Sequence, residues 1–188
     1  MAITISGDSP NLTSAGLASP AFSGTPTGTG VLTSGTAVAS TSGTSIDFTS
    51  IPSWVKRITV MFQGVSTSST SNLLLQIGSG SVANTGYESS SFSSNTTNAG
   101  SSAGYILTGV VTATSLYSGS AVLTLVNSAT NMWVNSSVLG QGNSPSSNGG
   151  LSFGGGYKAA SGALDRVRIT TVNGTDTFDA GSINILYE

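Results

Sequence analysis

The stretch TSIDFTSIPSWVKRITVMFQGV, residues 44 to 65, decides the fold class. It reads as a short extended run, a corner at Pro52, and then a long strand. Alternate residues of the long strand fall into two sets. Val55, Arg57, Thr59 and Met61 share one face; Lys56, Ile58, Val60 and Phe62 share the other. Ile58, Val60 and Phe62 form the expected core face, because β-branched and aromatic residues at a spacing of two fit a half-buried strand.

Working outward, the same texture repeats. NLLLQI (72–77), YILTGVV (105–111), AVLTLV (121–126) and MWVNSSVL (132–139) are strand candidates, as are Leu164 to Val172 and Ser182 to Tyr187. The segments SSSFSSNTTNAGSSAG (89–104) and GQGNSPSSNGG (140–150) read as irregular loops. No helical period is sustained. Eight or nine short strands at this spacing predict an all-β chain, a jelly-roll-like antiparallel β-sandwich. Several strands, among them LLLQI, YILTGVV and INILY, are apolar on both faces. One sandwich buries one face of each sheet, so the other face calls for a cover, either the arm or a neighbouring copy, and a homo-oligomer is favoured over a monomer.

Composition supports the all-β reading. Charged residues are 6% of the 188, against about a quarter in an average domain, while Ser and Thr make up about a third and 25 glycines accompany them. Thr, Val and Ile favour extended backbone; Gly, Ser and Asn favour turns. No apolar run approaches the length of a membrane-spanning helix, and MAITISGDSP shows neither the basic head nor the apolar stretch of a secretory signal. Membrane insertion is not expected. A net charge of -2 with five basic residues offers little to a nucleic-acid backbone, so no nucleic-acid partner is expected. The chain has no Cys and no His. Disulfides, thiolate nucleophiles and Cys-ligated zinc are thereby excluded, and so is the commonest general base.

Residues 1 to 36 differ from the remainder. They carry three of the five prolines and only short apolar pieces: Ile3, Ile5, Leu12, Leu17, Phe22 and Val31-Leu32. Such a segment cannot build its own core and reads as an extended N-terminal docking arm. The sandwich is assigned to residues 37 to 188.

The closing segment LDRVRITTVNGTDTFDAGSINILYE (164–188) holds four of the seven carboxylates. Asn173-Gly174 follows a strand rich in Val, Ile and Thr and supplies the positive φ of a tight turn. Asp176 and Asp179 lie in or beside the connection, where a carboxylate caps a turn. Arg166 and Arg168 share a face at the strand start, with Asp165 on the other. Structural punctuation with an ion pair is the leading reading. A calcium site using Asp176 and Asp179 and a carboxylate pair for glycoside hydrolysis are the alternatives. No catalytic, cofactor-binding or metal residue is assigned.

Trp54 and Trp133 read as core anchors that find a partner for the indole N–H. Exposure of a Trp, Tyr87 or Tyr117 beside polar loops would instead make a sugar-stacking platform. In GGLSFGGGYK (149–158) the glycines around Phe153 and Tyr157 point to close backbone approach, at a bulge or subunit contact.

TAVASTSGTSIDFTSIPSWVKRITVMFQGVSTS (36–68) and the final twenty-five residues together resemble a domain at the ends of tailed-bacteriophage tail fibres and related virion proteins. The resemblance covers Ala37 to Glu188 and does not reach the arm. It implies a trimeric β-sandwich on the exterior surface of the particle, structural and adhesive rather than catalytic. The partners it implies are further copies of the chain, other virion proteins through the arm, and a host surface glycan or protein. The arm stands where a fibre shaft is usual, and this raises capsid decoration as the alternative role. A carbohydrate-active enzyme is the remote one.

Overall fold

A computed structural model describes residues 32–94, 98–109, 112–142 and 149–188. The arm expected over residues 1–36 lies almost wholly outside them. In chain order the strands are β1 (Thr33–Ser34), β2 (Val38–Ala39), β3 (Ile46–Thr49), β4 (Arg57–Thr67) and β5 (Leu73–Ser79). Next come β6 (Ser81–Val82), β7 (Glu88–Ser93), β8 (Ala99–Ser101), β9 (Tyr105–Ile106) and β10 (Leu116–Asn127). The last four are β11 (Met132–Gly142), β12 (Gly150–Ala159), β13 (Arg166–Thr171) and β14 (Phe178–Tyr187). Sheet pairing already begins at Thr33, ahead of the expected domain start at Ala37.

The strands pair as one long hairpin, first with last: β2 with β14, β3 with β13, β4 with β10, and β5 with β9. Rolling that hairpin sets β14 against β4 and β13 against β5. Two antiparallel sheets result, β2-β14-β4-β10 and β3-β13-β5-β9, which is the strand order of a jelly roll. The larger sheet continues past β10 through β11 and β12 to β7 and β8. This extension is the departure from a plain eight-stranded roll.

The core lies between the sheets. Ile58, Val60 and Phe62 point inward from β4, as the alternation predicts, and meet Leu75, Ile77, Val167 and Ile169 from the other sheet. Each such side chain contributes roughly 1.5–3 kcal/mol by leaving water. The Pro52 corner is real: the Val55 N–H donates to the Pro52 carbonyl at 3.1 Å, and Ser50 takes a positive φ of 62°. Trp54 packs on Tyr187, ring centroids 6.0 Å apart, beside the Arg57–Glu188 ion pair. The C-terminus is thereby clamped to the start of β4.

Three expectations need correction. The segment 89–104 is not irregular throughout, because β7 and β8 run in it; pairing with β12 outweighs the weak strand preference of serine. Residues 150–158 lie in β12, a full strand in place of the expected bulge, and the close backbone approach is seen at Gly156, where a Cβ would lie 2.3 Å from the Glu88 carbonyl oxygen. The strand expected over 105–111 shortens to Tyr105–Ile106, with 110 and 111 outside the described residues. The apolar outer face of β5 also has a cover within the chain. Leu74 lies beside Ile106, both almost fully buried, and Gln76 donates to the Ala103 carbonyl at 2.8 Å.

Candidate functional site

The charge-rich closing segment builds a turn. Asn173 Oδ1 accepts from the N–H groups of Thr175 (3.0 Å) and Asp176 (3.2 Å) and from the Thr171 hydroxyl (2.8 Å). Gly174 supplies the positive φ, 67°. The Asp176 carboxylate, 7% exposed, accepts from the Ser71 N–H at 3.0 Å and from Asn173 Nδ2 at 2.5 Å. Asp179 accepts from the Ser66 hydroxyl. The turn is thus riveted to the loop between β4 and β5, and the two carboxylates serve separate partners. Among the described residues no group of three or more acidic side chains converges as a metal site.

The remaining charges brace the outer face of the smaller sheet. Arg168 binds Asp47 on the neighbouring strand β3 in a two-pronged pair, 2.6 and 2.9 Å. Arg166 grips the adjacent Asp165 at 2.7 Å, and that guanidinium holds the Asp165 carboxyl below the usual range, with the Gly80 N–H adding to the effect.

The aromatic residues weighed as a sugar platform divide. Tyr87, Tyr117 and Trp133 are buried to within 2% of full burial, so they are core anchors and offer no stacking surface. The Tyr87 hydroxyl accepts from the Ile77 N–H at 2.8 Å and donates to the Ala83 carbonyl at 3.0 Å. Tyr105 stands edge-on to Tyr87 at 5.0 Å and donates to the Trp133 carbonyl. The Trp133 indole N–H has no partner among the described residues, contrary to expectation.

Among the described residues, two open surfaces stand out. On the smaller sheet a recess of about 390 Å³ is lined by Thr44, Ser45, Gln76, Thr170, Arg168 and Asn173, among others. Its walls are hydroxyls and amides, and its cation is already committed to Asp47.

The second surface is the outer face of the extension formed by β7, β12 and β11. On β7 and β12 the polarity of the sheet is reversed, whereas β11 also sends Trp133 and Leu139 into the core. Ser91, Ser93, Ser152, Asn135, Ser137 and Gln141 point into the sandwich and are buried. Phe92, Phe153, Val138, Leu151, Tyr157 and Val134 point outward, each between 36% and 50% exposed. Register aligns them in rows across the strands. Phe92, Phe153 and Val138 stand side by side; one step along, Ser90, Gly155 and Ser136 form a low row; the next holds Glu88, Tyr157 and Val134. Ser90 and Gly155 of the low row line a recess of about 410 Å³ beside Glu88 and Tyr157.

Sequence reasoning singled out Phe153 and Tyr157 but missed Phe92, Val134, Val138 and Leu151 as members of one face. The alternation in GLSFGGGY was the available signal, and it goes unread when the glycines are taken for a bulge or a contact point. No protein-family model, no curated protein and no solved structure matches this chain.

Proposed function

We propose that this chain is a non-enzymatic structural protein of the bacteriophage virion. It assembles with copies of itself, in threes as the resemblance implies, and presents its sandwich on the outside of the particle. Residues 1 to 36 attach it to other virion proteins, and the exposed face and loops serve host attachment in the manner of a tail fibre. The observation that carries this reading is the pairing of a jelly roll with an exposed apolar face on its extension, which supports a surface role. The commitment of Asp165, Asp176 and Asp179 to hydrogen bonds within the fold supports it further.

Antibody labelling of purified particles tests the proposal. Label at the tail tip is the expected result. Label over the head would assign capsid decoration in place of host attachment, and particles that lack the chain altogether would overturn the virion reading.

A further inference from the structure

The reversed polarity of the extension is costly for an isolated sandwich. Serine and asparagine inside leave the Ser91 and Ser137 hydroxyls without partners among the described residues, while Phe and Val outside meet water. β7 and β12 place their apolar set outward, and β11 adds Val134 and Val138 beside them while its Trp133 and Leu139 face the core, so this outer face calls for a cover of its own. We propose that the outer face of β7, β12 and β11 packs on the same face of a second copy, about a two-fold axis running across the strands. This rests on the self-association part of the reading above and names the surface.

Size complementarity selects that symmetry. A two-fold axis across the strands lays each strand over its own copy in reversed direction. Setting the axis midway between the positions of Phe153 and Gly155 places the Phe153 ring of one copy over Gly155 of the other. The same operation follows the register across the sheet. Phe92 meets Ser90, Val138 meets Ser136, and on β10 Val122 meets Ser120. One step outward Val134 meets Gly140, and Tyr157 meets Leu151. Nearly every large side chain finds a small residue or another apolar group opposite, which interdigitated sheet faces require. Glu88, the carboxylate of this face, comes over Ser94, so no like charges are opposed.

Four strands at about 4.8 Å spacing and eight residues of length give roughly 500 Å² in projection, before corrugation is counted. A standard stable interface takes about 800 Å² per partner. The contact is therefore concentration-dependent, and it generates even numbers of copies: two, or six where a three-fold contact forms through other surfaces.

Gly155 makes the test selective. A Cβ placed there finds only the Asn135 carbonyl oxygen, at an ordinary 3.6 Å, so a side chain is compatible with the fold while filling the hole. Sedimentation velocity of the full chain over a concentration series should show an even-numbered assembly. Gly155→Leu, and independently Ser136→Leu in the same row, should weaken it at least tenfold with circular dichroism and melting unchanged. The exchange Phe153→Gly with Gly155→Phe restores knob against hole only under this symmetry, and should recover most of the loss. An assembly unaffected by both leucine variants would overturn the inference while leaving self-association standing. Loss without recovery in the exchange would overturn the two-fold register. A wild-type monomer at every concentration would overturn both the inference and the self-association it rests on. Normal assembly by the leucine variants with failure to join particles would reassign the face to another virion protein.

Discussion

Asp176 shows how the rare charges of this chain act. Both carboxylate oxygens accept hydrogen bonds, and the group is nearly out of contact with water. Asp176→Ala would leave the Ser71 N–H and the Asn173 amide unpaired, a loss of about 1–3 kcal/mol. Urea denaturation should register it as a lower midpoint with an unchanged slope. The buried tyrosines give the chain its alkaline limit. Burial pushes the phenols of Tyr87 and Tyr117 up to about 12, against hydrogen bonds from Ile77 and Ser115 that act the other way. Burial raises Tyr105 further still, and the neighbouring Tyr87 adds to it. With the folded-state value above the ordinary 10, their contribution is complete below pH 10 and is lost as pH rises through 12. Urea midpoints should hold to about pH 10 and then fall, and Tyr87→Phe with Tyr117→Phe should flatten that fall at the cost of a lower midpoint near neutrality. At this scale the sequence was informative about Asn173-Gly174 and its carboxylates, because a turn is specified by a few adjacent residues. It was silent about the orphaned Trp133 N–H, which depends on strands distant in sequence.

Among the elements, β4 and β14 carry the irregularity that closes the roll. Their register shifts between Phe178 and Ala180 and again between Ala180 and Ser182, opposite Gly64 with φ 59°. Gly181 sits at φ 91°, and a Cβ there would lie 2.5 Å from the Gln63 carbonyl oxygen and from Gly64 backbone atoms. Gly181→Ala should cost at least about 2 kcal/mol through strain and displaced backbone, whereas Gly155→Ala should leave folding stability within about 0.5 kcal/mol. Paired urea titrations would check the contrast. The strands with strong alternation, β4 and β13 above all, were legible because their own side chains alternate between core and solvent. The serine-rich β7 and glycine-rich β12 were not, since each is held as a strand by the other. The candidate face went unread with them, because it exists only once β7, β12 and β11 stand side by side.

For the whole molecule, the all-β sandwich follows from its long strands, while the extension and the reversed polarity on it follow from pairing that no single segment announces. The outer face of β5, one of the strands expected to need a partner, is covered by its own chain, and an exposed apolar face lies instead on the extension. Light scattering of the full chain at high concentration should return a mass above the monomer's 18.6 kDa. The arm supplies the remaining claim. Under the proposed function this segment docks on a partner, and fixing an extended segment costs roughly 1–2 kcal/mol per residue in backbone entropy, which the partner surface would have to offset. The measurement that tests the account most directly is the copy number per particle of the full chain and of a chain lacking residues 2 to 30. The account predicts a fixed complement of the full chain on the virion, and a truncated chain that is folded and self-associated in solution but missing from particles. Truncated protein present at the full complement would contradict it, and would move attachment from the arm to the sandwich.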